Sequence, residues 1–73
     1  MNKPLILVVE DDRPVRNLIV TTLKSHDYRY LTAENGHGAI MEATSHNPDI
    51  VLLDLGLPDI DGTQVILSLI HIS

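Results

Sequence analysis

Leu5-Ile6-Leu7-Val8-Val9-Glu10-Asp11-Asp12 and Ile50-Val51-Leu52-Leu53-Asp54 decide how this chain is read. Each is an unbroken aliphatic run of strand length, and each is stopped by acids. A strand that is apolar at every position has no face to give to water. It belongs in a parallel sheet covered by helices. Between the two runs, Val15, Leu18, Ile19, Thr22 and Leu23 recur at helical spacing. They predict a helix with that stripe turned inward and Arg16, Asn17, Thr21 and Lys24 facing water. Asp12 or Arg13 would cap it, and Pro14 suits its first turn.

Ser25-His26-Asp27 reads as a turn, and residues 28–33 as a second strand. Glu34-Asn35-Gly36 is punctuation before a helix over residues 37–45, with Ala39, Ile40 and Ala43 inward. Gly38 weakens that helix by about 1 kcal/mol relative to Ala. Asn47-Pro48-Asp49 breaks it. Residues 57–62 read as a loop and residues 63–69 as the start of a third helix. The order β-α-β-α-β-(α) implies right-handed crossovers and an α/β parallel sheet. No repeat, low-complexity stretch or linker interrupts it.

Composition excludes several classes. At 73 residues and 8.1 kDa the chain makes one domain at most. It is 44% hydrophobic and 21% charged, a globular balance. It has no cysteine, so disulfides, thiolate metal sites and a Cys nucleophile are out. Net charge is −5, and all five basic residues precede position 30, while residues 31–73 carry six acids. Nucleic acid needs a basic face, so direct nucleic-acid binding is not expected. No apolar run approaches the roughly 20 residues of a membrane helix. The run Leu5–Val9 is too short for a secretory signal, which leaves the cytoplasm as the expected compartment.

The acids carry the chemistry. Ligands of open parallel sheets sit beyond the carboxyl ends of the strands. Glu10 and Asp11 follow the first strand and Asp54 the third, so neighbouring strands would bring three carboxylates to one point. One acid at a strand end is ordinarily a solvated cap. Three converging acids repel one another unless a cation neutralises them. All-oxygen ligation favours Mg²⁺, Mn²⁺ or Ca²⁺, and Mg²⁺ on one or two carboxylates suits phosphoryl chemistry.

At these residues the chain resembles the receiver domain of bacterial two-component response regulators. The likeness rests on Val8-Val9-Glu10-Asp11-Asp12, on Leu52-Leu53-Asp54-Leu55-Gly56-Leu57-Pro58-Asp59, on Asp61-Gly62, and on Tyr28 with Leu31-Thr32-Ala33-Glu34-Asn35-Gly36. It covers about residues 4–66. The Leu-Asp-Leu-Gly-Leu-Pro-Asp string is most similar to regulators with a winged-helix output domain, of the potassium-transport type. The resemblance implies a flavodoxin-like (CheY-like) doubly wound parallel sheet. Three strands in the order 2-1-3 and two to three helices of it are expected here. It also implies roles. Asp54 would be the phosphoacceptor, attacking a phosphohistidine on a sensor histidine kinase. Glu10 and Asp11 would hold Mg²⁺ with Asp54, and the backbone carbonyl of Gly56 would be a further ligand. Pro58 and Gly62 would shape the loop beside the site.

The family pattern continues past this sequence. Its Ser or Thr after strand four, and its aromatic residue and Lys on strand five, have no counterpart here. Slow phosphorylation and a lost switch are therefore expected of this chain. Residues 67–73 carry no charge where the family's third helix does, and read as a non-native tail. In the family's strand order 50–53 would be interior. Here it is an aliphatic edge, which predicts self-association.

Other features are weaker. His26, His37, His46 and His71 share no metal-ligand spacing and read as surface residues. A calcium loop around Asp59-Ile60-Asp61-Gly62 fails, because Leu57 and Ser68 occupy its carboxylate positions. Tyr28 and Tyr30 suit strand packing. Two alternatives remain beside a signalling module. One is a Mg²⁺-dependent phosphohydrolase with an aspartyl-phosphate intermediate. Such enzymes typically carry a second Asp two residues after the nucleophile, where this chain has Gly56. The other is an inactive pseudo-receiver that only associates.

Overall fold

The computed structural model describes residues 3–54. Strand β1 is Leu5–Val9, helix α1 Arg13–Ser25, β2 Arg29–Ala33, α2 Gly36–His46 and β3 Ile50–Leu53. All pairings are parallel, in the order β2-β1-β3. The expected α/β class, strand order and strand positions are therefore present. The expected third helix, the loop at residues 57–62, Gly56, Pro58, Gly62 and the tail lie outside the described residues.

β1 is central, and its sequence explains why. Leu7 and Val8 are fully buried, with Ile6 and Val9 nearly so. Leu7 and Val9 point to one face, where they pack with Ala33, Ala39 and Ala43, flanked by Leu31, Val51 and Leu53. The two alanines let α2 approach the sheet closely. Ile6 and Val8 alternate to the opposite face, under α1. β3 alternates likewise: Val51 and Leu53 join the α2-side core, whereas Ile50 and Leu52 stay 44% and 42% exposed.

The caps follow local chemistry. The Asn35 side chain accepts from the Gly38 N–H at 2.8 Å, an N-cap bond. A Cβ at position 38 would lie 3.2 Å from Asn35 Oδ1 and 3.6 Å from the Ala33 Cβ. Gly38 thus lets the cap and the end of β2 meet the first turn of α2, which offsets its low helix propensity. Asn47 ends α2 in the left-handed conformation, φ 49°, as Asn tolerates. The reciprocal bonds Leu5 N–H to Asp49 Oδ2 and Asp49 N–H to the Leu5 carbonyl, both 2.8 Å, pin the start of β3 to β1.

Helix α1 corrects the sequence reading. Asp12 is its N-cap residue and Pro14 lies in the first turn, but the Asp12 side chain makes no cap bond. The apolar stripe is also rotated. Val15 is 40% and Leu18 68% exposed, and Thr22 is exposed. The half-buried positions are Arg16, Ile19, Val20 and Leu23. That set has the same helical period and shares Ile19 and Leu23 with the predicted one. The physical reason is Arg16, predicted to face water. Its side chain is only 12% exposed, and its guanidinium donates to the Glu10 carbonyl at 2.8 Å. The Thr22 hydroxyl donates to the Leu18 carbonyl of its own helix.

Candidate functional site

The sheet delivers the acids on its last rungs. Val9 pairs with Ala33 on one side and Leu53 on the other. One residue further, the Glu10 N–H donates to the Ala33 carbonyl at 3.0 Å, and the Asp54 N–H to the Val9 carbonyl at 3.1 Å. Both parallel ladders therefore run into the acids, and the sheet holds the amide groups of Glu10 and Asp54. Asp11 follows Glu10 in the short turn before α1.

Glu10, Asp11 and Asp54 each place one carboxylate oxygen within 4.8 Å of the others. Glu10 and Asp54 are half-buried and Asp11 is exposed. Their floor is apolar: Val8, Ile19, Leu52 and Leu53 line a shallow crevice of about 130 Å³ with Glu10 and Asp54 at its rim. The Asp12 N–H lies 3.3 Å from Glu10 Oε2 and pulls the Glu10 pKa down. Desolvation, hydrogen bonds shared with Asp54 and Asp11, and the charge of Asp54 push it up. The upward effects win, so the Glu10 pKa is raised. Partial desolvation, then the neighbouring Asp54 and Asp11 carboxyl groups, thus disfavour the charged form of Glu10. All-oxygen donors and close spacing of three carboxylates fit a hard divalent cation.

The three predicted acids are thus brought together, and the fourth predicted ligand, the Gly56 carbonyl, lies outside the described residues. His26, His37 and His46 are exposed and stand outside this cluster. Sequence reasoning missed Arg16. Beyond its bond to the Glu10 carbonyl, it pairs with Glu34 at 3.6 Å, just after β2. Its place four residues before Val20 and seven before Leu23, on the sheet-facing side, was the available signal.

Residues 6–71 match the response regulator receiver domain family. The chain belongs to that family. It is 40% identical over 62 residues to the transcriptional regulatory protein KdpE of Mycobacterium tuberculosis, covering 85% of this chain and 27% of KdpE. It resembles the signal receiver domain of a putative Luxo repressor protein from Vibrio parahaemolyticus, with TM-score 0.87 and 30% identity, covering 94% of this chain and 53% of that one. It also resembles the response regulator TrrA of Thermotoga maritima, solved in complex with Mg²⁺-BeF, with TM-score 0.79 and 40% identity over 89% of this chain and 55% of that one. The chain therefore spans about a quarter of the length of KdpE and about half of these receiver structures. The potassium-transport likeness read from the sequence is matched by KdpE. Among the described residues, no helix is long and apolar enough to cross a membrane.

Proposed function

We propose that this chain is the phosphoacceptor part of a two-component receiver, with Asp54 accepting a phosphoryl group from a sensor histidine kinase in the cytoplasm. The observation that carries the reading is the convergence of Glu10, Asp11 and Asp54 within 4.8 Å at the ends of adjacent parallel strands. Glu10, Asp11 and Asp54 would hold Mg²⁺, with the Gly56 carbonyl as a further ligand. The bound cation supplies neutralisation of the charge that gathers on the phosphoryl oxygens.

The rest is done by the chain. An Asp54 carboxylate oxygen attacks phosphorus, and the new O–P bond forms as the P–N bond of phosphohistidine breaks. The imidazole leaves with the electron pair and takes up a proton. The product is an acyl phosphate, a covalent option open to carboxylates. The ladder bond from the Asp54 N–H to Val9 fixes the nucleophile's main chain, so its approach costs little reorganisation. Gly56, where a phosphohydrolase would carry its acid–base Asp, favours capture over turnover. We infer no direct contact between these residues and nucleic acid, because residues 31–73 carry six acids and no Lys or Arg.

The test is intact mass after prolonged incubation with acetyl phosphate and Mg²⁺. An adduct of about 80 Da that is labile to base and absent in Asp54→Ala supports the reading. An adduct that persists in Asp54→Ala overturns it.

A further inference from the structure

Arg16 is built into the acidic turn at three points. Its N–H donates to the Asp12 carbonyl at 2.9 Å, opening α1. Its guanidinium reaches back over that turn to the Glu10 carbonyl at 2.8 Å. Its other terminal nitrogen pairs with Glu34 Oε1 at 3.6 Å, across the gap between the ends of β1 and β2. Backbone and side chain of one residue thus close a loop around Glu10-Asp11-Asp12. Inside it, the Asp12 N–H turns back to Glu10 Oε2 at 3.3 Å. The Arg16 side chain is 12% exposed, while Glu34 is 71% exposed, so the order in this pair comes from the arginine. A planar guanidinium can serve a carbonyl and a carboxylate together, whereas a lysine ammonium is a single point charge on a flexible stem.

We propose that Arg16 is a positioning residue for divalent-cation binding: it clamps the Glu10 main chain so that the Glu10 and Asp11 carboxylates stay within ligand reach of Asp54. This rests on the cation-site reading above. The guanidinium is directed to the main chain of Glu10 and to Glu34, and so acts behind the ligands. Supporting groups of that kind typically alter metal affinity 10- to 100-fold.

The sign of the effect separates clamp from charge. Removing a positive charge near an acidic cluster strengthens cation binding by Coulomb's law alone. Removing a clamp weakens it. The experiment is calorimetric titration of the full chain with Mn²⁺, for wild type, Arg16→Ala, Arg16→Lys and Glu34→Gln. Amide hydrogen exchange at Asp11 and Asp12 is followed in the metal-free protein. The expected result is roughly tenfold weaker binding in Arg16→Ala, about two- to threefold weaker in Glu34→Gln, and partial rescue in Arg16→Lys. Exchange at Asp11 and Asp12 should quicken in Arg16→Ala while the β1 amides keep their protection. Equal or tighter Mn²⁺ binding by Arg16→Ala overturns the clamp and leaves the cation site standing. Absence of Mn²⁺ binding by wild type overturns the cation site itself. If Arg16→Ala does not fold, Arg16→Lys, which keeps the charge, decides: wild-type affinity with unchanged exchange at Asp11 and Asp12 there overturns the clamp.

Discussion

Replacing Asp54 by Asn should make the metal-free protein more stable and its metal response smaller. Asp54 raises the Glu10 pKa by a shared hydrogen bond and by charge. A folded pKa above the unfolded one means that the fold binds this proton more tightly than the open chain does. Its favourable contribution is complete below the unfolded pKa and is lost as pH rises through the folded pKa. At pH 7 the ionised Glu10 therefore weighs against the fold, through desolvation first, and Asp54→Asn relieves the part that Asp54 causes. The gain should vanish in acid, where Glu10 carries its proton. A cation reverses the order. At a hundredfold excess over Kd it stabilises the wild type by about 2.7 kcal/mol. For a chain of 73 residues, unfolding entropy of about 2.1 cal/mol/K per residue turns this into a rise in Tm of roughly 10–20 °C. Circular-dichroism melts at pH 7, with chelator and with saturating Mg²⁺, read both effects. The reasoning is refuted if Asp54→Asn melts below wild type in chelator, or if both proteins gain equally from Mg²⁺.

Other predictions address the frame of the site. Leu7→Ala empties a fully buried position and should cost about 2–5 kcal/mol, a large part of what a chain this size possesses, whereas Leu18→Ala at 68% exposure should stay within about 0.5 kcal/mol. Urea melts of the pair check it, and equal losses would contradict the assigned core. Asn35→Ala removes the cap on Gly38 and should cost about 1 kcal/mol, read in the same melts, with α2 amides exchanging faster near its N-terminus. Mn²⁺ affinity should fall as pH drops through the raised pKa of Glu10, at a higher pH than an isolated glutamate would give, because the proton and the cation compete for one carboxylate. A pH-independent affinity down to the ordinary carboxylate range would exclude Glu10 as a ligand.

The strands were legible because aliphatic runs closed by acids leave few alternatives. Ile50–Leu53 lies where the sequence puts it, and Asp54 follows it as read. The convergence of Asp54 with Glu10 was legible for the same reason: parallel neighbours end together. The face of α1 was not. Hydrophobicity places Val15 and Leu18 inside, but the seat of the helix is set by a hydrogen bond to the Glu10 carbonyl, which no apolar pattern records. An arginine buries its stem and gives its head to main-chain oxygen, so it counts as polar in the sequence yet sits half-buried against the sheet in the fold. From sequence alone Gly38 is a weakness in α2, for a related reason. Its value is the space it leaves beside Asn35 and Ala33, which only the packed structure reveals.

The most direct test of the central claim is to locate the phosphoryl group. The chain is incubated with phosphoramidate, a small P–N donor, in Mg²⁺ or in chelator, and the peptides are mapped by mass. Modification is expected at Asp54 alone, in Mg²⁺ and not in chelator. A phosphoryl group on another residue, or equal labelling in chelator, would contradict it.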